Sequence, residues 1–353
     1  MQKFQPTVSV VMTAYNAEFT IARAVLSILR QSLNDLELVI VDDGSDDTTV
    51  ARIRAVADDR VRVLSNERNL GISRSANRGI AAARGRYIAR MDADDVALPR
   101  RLEKQVRFLD HHSKVLALGT AMRRMDRYGT LGRVVVVPQH DAELRLLTLW
   151  GAPILNPTAM IRRSVFDEMG IAYQTECDGA EDYDFWARLL AHGEVANLPS
   201  VECLYRTWDE SISNRKAERI AGFHLSIADA YARSLFGEGA ALLEDAAWLV
   251  RLLLERPPLD AATALHMGQA LVRLVDGYLT RHPGAGRKTR FQLLRCAGEQ
   301  AIYAALKGAK PRAALAALGA LVEVSPLLFA GGLLAQLGRQ GRYELPRFLP
   351  GMS

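Results

Sequence analysis

An α/β fold with a mostly parallel central sheet, followed by an α-helical C-terminal domain, is what this chain predicts. Three observations carry that expectation. Between residues 7 and 95, short apolar segments rich in β-branched residues alternate with amphipathic segments of helix length. Acidic and polar clusters stand immediately after those apolar segments, where the strands of such a sheet end. After about Ser213 the composition turns Ala-, Leu- and Arg-rich with helical spacing, so the domains are expected at 1–213 and 214–353.

Thr7–Thr13 (TVSVVMT) is the first strand, by its β-branched content. A turn at Ala14–Ala17 leads into helical periodicity from Phe19 to Gln31, with Ile21, Val25, Ile28 and Leu29 on one face. Leu36–Val41 is a second strand, apolar almost throughout, and Ser45 or Asp46 can cap the helix after it. Val61–Leu64 is the third. Asn69-Leu70-Gly71 turns into a helix over Ser73–Ala83 that Gly85 ends, and a short buried strand, Gly85–Ala89, leads into the stretch Arg90–Asp95. The second half is more mixed. Strands are expected at Val115–Gly119, Met122–Arg127, Arg133–Val137 and Ala159–Arg162, a strong helix at Glu181–His192, and closing strands at Val195–Leu198 and Val201–Arg206. Beyond them, breaks at Gly237, Pro257-Pro258, His282-Pro283-Gly284 and Pro326 divide five or six helices.

The 353 residues are 49% apolar and 24% charged, ordinary values for a globular protein with a substantial core. Cys177, Cys203 and Cys296 are odd in number and form no CxxC, which speaks for a reducing, cytoplasmic setting over a disulfide framework or zinc site. No apolar run reaches the ~20 residues that span a bilayer, and Met1 runs almost directly into a strand, leaving no room for a signal peptide. The net charge of +5 is uneven: Arg281–Ser353 holds 11 Lys and Arg against 3 Glu, whereas the preceding residues are net acidic by 3. That asymmetry fits either solvated helix faces or peripheral contact with an anionic membrane at its inner face. Nucleic acid is disfavoured, because the basic tail has no interleaved aromatics and no recognition motif. A homodimer is left open.

The stretch Asp92-Ala93-Asp94-Asp95, at the end of a buried strand, holds the chemistry. Three carboxylates in four residues repel one another unless they share something positive. A hard divalent cation, Mg²⁺ or Mn²⁺, prefers carboxylate oxygen and carries substrate phosphates on its open positions. The alternative reading is a solvated acidic turn before the helix that starts at Pro99.

The ordered set Val10–Asn16 (VVMTAYN), Val41–Ser45 (VDDGS), Asn69-Leu70-Gly71, Asp92–Asp95 (DADD) and Glu181–Trp186 (EDYDFW) resembles inverting glycosyltransferases of family 2, of GT-A fold and bacterial surface-polysaccharide type, over roughly residues 5–213. That resemblance implies a nucleotide-sugar site. Thr13, Ala14, Tyr15 and Asn16 would cup the base, with Tyr15 offering an aromatic face, though it also reads as a core aromatic. Asp43 would accept from the base, and Asn69 and Gly71 would floor the pocket. Arg74 and Arg206 would be diphosphate contacts; helix-surface solvation is an equal reading for Arg74. Asp92, Ala93 and Asp95 would face the ribose or donor sugar, or brace the loop, and Asp94 would bind Mn²⁺ or Mg²⁺. Asp182 would be the catalytic base, held ionised by the helix N-terminus, where acidic capping is the plainer alternative. Asn156, Glu181 and Trp208 would line the acceptor side.

Three departures from the family stand out. Ala76 replaces a common basic residue, Trp208 stands where relatives often carry a metal- or diphosphate-binding His, with Asp209 or a water as substitute, and the QxxRW of processive synthases is absent. The resemblance therefore implies addition of one sugar from a nucleotide-sugar donor, a UDP-sugar by preference, to a saccharide or lipid-linked saccharide acceptor, as in O-antigen or capsule assembly. Transfer from GDP-mannose or UDP-glucose to a polyprenyl phosphate is the second reading, and a non-catalytic nucleotide-sugar binding protein the third.

Overall fold

In a computed structural model, residues 5–208, 217–238, 241–255, 260–283, 287–306, 311–330, 333 and 343–344 are described. The chain divides into two compact units, one of residues 1–139, 154–215 and 344–346, the other of 140–153, 216–343 and 347–353. The expected boundary at 213/214 lies outside the described residues, as do Asp209 and the break at Pro257-Pro258. Residues 140–153, expected with the first domain, belong to the second unit.

The first unit is built on a mixed sheet with a parallel core. Strands β1 (Val8–Ala14), β2 (Leu36–Asp42), β3 (Val61–Ser65) and β4 (Tyr87–Asp92) run parallel in the spatial order β3-β2-β1-β4. Every residue of β2 is buried, and in β1 all but Thr13, which is why they read as near-continuous apolar runs. Helices α1 (Ile21–Leu29), α2 (Thr49–Arg54) and α3 (Ile72–Ala82) make the crossovers. The short β5 (Val96–Ala97) and α4 (Arg101–His111) follow β4. The polar exceptions in β1 and β2 pair with each other: Ser9 Oγ donates to Glu37 Oε1 at 2.6 Å, and Arg84 and Arg62 reach Glu37 Oε2 at 2.7 and 3.0 Å. A buried carboxylate is thereby fully engaged.

Beyond β4 the sheet turns antiparallel, through β8 (Met160–Arg162) to β6 (Val115–Met125) and β7 (Leu131–Val135). Two expected strand pairs prove to be single strands. Gly119 does not end a strand: a Cβ there would lie 2.1 Å from Asn197 Oδ1, so this glycine serves close packing inside a continuous β6. Likewise β9 (Glu194–Arg206) runs through Pro199, because the register against β6 jumps from Leu198 to Val201 and lets Pro199 and Ser200 bulge out of the ladder. Ser45 does not cap α2, whose N-cap is Thr48; its Oγ accepts instead from Asn16 N at 3.0 Å. Between β8 and β9 lie α6 (Ser164–Asp167) and α7 (Glu181–Leu189).

The second unit is helical: α5 (Asp141–Leu147), α8 (Ala217–Phe236), α9 (Leu242–Glu255), α10 (Ala261–Arg281), α11 (Arg287–Leu306) and α12 (Pro311–Val324). Asp260 caps α10 by accepting from Thr263 N at 2.7 Å. Gly268 lets α10 and α12 approach, since a Cβ there would meet Leu321 and Val324 at 3.1 to 3.3 Å. Among the described residues no helix is long and apolar enough to cross a membrane.

Candidate functional site

Register places the first site residues. Ala14 pairs with Asp42 across β1–β2, and Thr13 with Asp92 across β1–β4. Because these strands are parallel, the turns after β1, β2 and β4 emerge side by side at one sheet edge, about 4.8 Å apart strand to strand.

The turn after β1 is locked by side chains from the turn after β2. Asn16 adopts φ 48° and its Oδ1 accepts from Asp46 N at 3.1 Å. Ala14 O accepts from Asp43 N at 2.8 Å. Tyr15 is 50% exposed, which removes the core-aromatic reading and leaves a ring face open at the edge. Asp43 is buried, and its carboxylate accepts from Asn66 Nδ2 at 2.7 Å, Leu70 N at 2.8 Å and Gly71 N at 3.0 Å. Asp43 thus shapes the Asn69-Leu70-Gly71 turn from beneath. Gly44 sits at φ 75°, and a Cβ there would lie 2.5 Å from the Arg68 carbonyl carbon, so the close approach is made by the protein's own backbone. Asn69 and Arg74 are exposed. At Gly71, φ 95°, the space of a side chain is filled by Asp178, 2.4 Å from where a Cβ would stand; Ser73 Oγ donates to the same carboxylate.

The second cluster follows β4. Asp95 is buried and its Oδ1 accepts from Arg206 N at 2.8 Å, so it braces the loop. Arg206 also donates through Nε to Asp94 O at 2.9 Å and through Nη1 to Asp126 O and Arg127 O, each at 3.0 Å. Its guanidinium is engaged with main-chain carbonyls rather than turned toward a diphosphate. Trp208, expected on the acceptor side, donates its indole Nε1–H to Asp94 Oδ2 at 2.6 Å. Ala93 is buried between these acids. Arg101, wholly buried on α4, donates to Arg90 O at 2.7 Å and sets a positive charge beneath the loop.

The third cluster is the start of α7. Phe185 and Trp186 pack edge to face at 4.9 Å and Tyr173 stacks on Phe185 at 4.8 Å, anchoring the helix by its aromatic face. Tyr173 is tied to α3 by Asn77, whose Oδ1 accepts from Tyr173 N at 3.0 Å, and its hydroxyl donates to Asn156 Oδ1 at 3.0 Å. Glu181, the first residue of α7, is buried and accepts from Gly179 N at 2.6 Å, which ties the helix start to the loop before it.

Electrostatics ties these clusters together. Burial first, then the charge of Asp94, pushes Asp92 up to about 6; Glu181 adds to the push, while Arg90 opposes it. Burial also raises Asp94, and raises Asp95 well above its ordinary range. Asp182 is pushed up to about 6 by burial, with Asp92 contributing. Glu181 is pushed up to about 7 by burial and by Asp182. The helix N-terminus, expected to hold Asp182 low, is outweighed by burial among like charges. Asp92 is therefore the link between the two stretches, some 90 residues apart: it feels Asp94 and Glu181, and Asp182 feels it. Among the described residues no three His, Cys, Asp or Glu side chains form a ready-made metal cage. Asp94 and Asp92 are the side chains that could hold a hard cation, a set of one or two carboxylates of the kind Mg²⁺ uses beside substrate phosphates.

Asn66, Tyr173, Asp178 and Arg101 were not singled out from the sequence. Asn66 had the plainest signal, a lone Asn directly after β3 and three residues before Asn69.

The family model "Glycosyl transferase family 2" matches residues 9–170. An uncharacterized glycosyltransferase of Haemophilus influenzae is 34% identical over 212 residues, 57% of this chain and 65% of that protein, so this chain spans slightly under two thirds of it. The putative glycosyltransferase EpsE of Bacillus subtilis is 36% identical over 213 residues, 58% of this chain and 74% of EpsE. The UDP-Glc:alpha-D-GlcNAc-diphosphoundecaprenol beta-1,3-glucosyltransferase WfgD of Escherichia coli is 28% identical over 60% of this chain and 82% of WfgD. Among solved structures, S. aureus TarS 1-349 in complex with UDP-GlcNAc superposes with a TM-score of 0.56 at 16% identity, covering 94% of this chain and 92% of TarS 1-349. The fold is accordingly GT-A-like, with a helical C-terminal region. The family model, together with kinship to EpsE over three quarters of EpsE's length, places this chain within glycosyl transferase family 2.

Proposed function

We propose that this family 2 transferase moves one sugar from a UDP-sugar to a saccharide acceptor, with inversion at the anomeric carbon, in the assembly of a surface polysaccharide. The observation that carries this reading is that Asp92, at the end of β4 beside Asp94, lies within electrostatic reach of Glu181 and Asp182 at the start of α7. TarS was crystallised with UDP-GlcNAc, and the name of WfgD specifies a UDP-glucose donor and a diphosphoundecaprenol-linked acceptor; both support the donor class.

In this reading the base lies against the exposed face of Tyr15, over the turn that Asp43 holds. Asp94, with Asp92 beside it, would hold Mn²⁺ or Mg²⁺; the all-oxygen, hard donor set and its unrelieved mutual repulsion fit such an ion. When bound, the cation supplies Lewis-acid stabilisation of the departing diphosphate. Asp182 takes the proton of the acceptor hydroxyl as its oxygen forms a bond to the anomeric carbon. The carbon–oxygen bond to the diphosphate breaks, and its electron pair leaves with UDP. A base of pKa near 6 suits that task at neutral pH, being ionised yet basic enough to accept. Peripheral contact with an anionic membrane is supported by the basic excess after Arg281, at about 1 kcal/mol per basic residue near the surface.

A panel of nucleotide sugars, with and without Mn²⁺, tests the donor assignment by thermal shift. UDP-sugars should raise the melting temperature in the presence of Mn²⁺ by mass action. Stabilisation by GDP-mannose and by no UDP-sugar would overturn the donor class.

A further inference from the structure

Resting on the reading of Asp94 as the cation ligand, we infer that Trp208 is a positioning residue that competes with the cation for Asp94. Its indole N–H draws on Oδ2, so a divalent ion that binds at that oxygen meets a ligand already engaged by Trp208.

The bond is short, 2.6 Å, and its acceptor is a carboxylate, which places it among the strong hydrogen bonds. Indole offers one donor and no lone pair in the ring plane, so it cannot coordinate a metal alongside Asp94. A side chain of that kind at this place lowers the donor strength of the carboxylate oxygen and adds no ligand of its own. The geometry also permits release without disturbing the fold. The backbone leading to Trp208 is fixed: Arg206 N is bound by Asp95 Oδ1 at 2.8 Å and Thr207 N by Met125 O at 2.9 Å. Yet the indole itself is 38% exposed, so rotation about its own side-chain bonds suffices to free Asp94. A doubly charged ion arriving with a diphosphate can displace the indole, whereas the ion alone meets an occupied ligand. Cation affinity is then low until the donor comes with it.

Mn²⁺ binding to the full-length protein, measured from the free-ion EPR signal with and without UDP, tests this. Trp208→Phe, which removes the N–H and keeps the ring, should bind Mn²⁺ without UDP about tenfold tighter than the unchanged protein, equivalent to roughly 1.4 kcal/mol. In unmodified protein labelled with ¹⁵N-tryptophan, one indole N–H resonance, the one that Mn²⁺ broadens most, should shift and exchange faster with solvent on addition of Mg²⁺. That second measurement stands even where the variant does not fold. Equal Mn²⁺ affinity in folded Trp208→Phe, or an unmoved resonance at saturating Mg²⁺, overturns the inference. Asp94→Asn separates the two levels. If it keeps full Mn²⁺ affinity, the assignment of Asp94 fails and this inference with it. If it loses Mn²⁺ while Trp208→Phe gains nothing, only the role of Trp208 fails.

Discussion

At the scale of single residues, the acids after β2 and β4 and at the start of α7 do opposite things with the same functional group. Asp43, Asp95 and Glu181 spend their oxygens on backbone N–H groups and hold turns in place. Asp182 accepts through Oδ1 from the adjacent Tyr183 N–H at 2.7 Å, a bond within its own helix turn that pins no distant loop. Replacing Asp182 with Asn should lower kcat by about a thousandfold, a loss within the usual span for a general base, and leave the affinity for UDP within about twofold of the original. Parallel losses in both would assign Asp182 to binding instead. Because burial lifts this carboxyl to about 6, its proton is retained below that value and the base is lost there. The kcat of the unmodified protein should therefore climb as pH rises through about 6 and level off above it; a profile flat from pH 5 to 8 would contradict this.

At the scale of elements, β9 does more than close the sheet. It pairs parallel with β6 and antiparallel with β5, and its last residue, Arg206, ties Asp94, Asp126 and Arg127 together through their carbonyls. Arg206→Ala leaves those three carbonyls without this partner. It should cost about 2 kcal/mol in urea unfolding and weaken Mn²⁺-dependent donor binding about tenfold. Full retention of donor affinity would show that the loop holds its shape unaided. The strands, crossover helices and acid-bearing turns of the first half were legible in the sequence because period and burial coincide there: β1 and β2 are buried on both faces. The two long strands were not, because a packing glycine and a bulged proline carry the same letters as turn residues. Nor was the engagement of Arg206 and Trp208 visible, since each meets partners some 80 to 114 residues away.

At the scale of the whole molecule, one buried charge reports on the integrity of the parallel core. Burial would raise Glu37, but hydrogen bonds from Arg84, Ser9 and Arg62 outweigh it and leave the carboxyl below its ordinary 4.5. A depressed carboxyl contributes stability that is present above the unfolded value and is lost as pH falls through the folded one. Glu37→Gln should thus be less stable than the unmodified protein at pH 7, by about 2 kcal/mol, and the gap should close toward pH 3. Urea melts at both values decide it; a gap independent of pH would mean that the loss is one of packing and not of charge.

The turns at the strand ends and the segment before α7 are tied down in different ways. The turns are fastened by carboxylate and amide oxygens gripping main-chain N–H groups, from Asp43 to Leu70 and Gly71 and from Asn16 to Asp46. The segment before α7 adds a contact of another kind, tip to tip, from the Tyr173 hydroxyl to Asn156, beside the grip of Asn77 on the Tyr173 main chain. Backbone grips tolerate drift in the letters around them, whereas tip-to-tip contacts change with every substitution. The turns at the strand ends can therefore hold one shape through side-chain changes at Leu70 or Asp46, which contribute only their main-chain N–H, whereas the Tyr173–Asn156 contact is lost when either side chain is replaced.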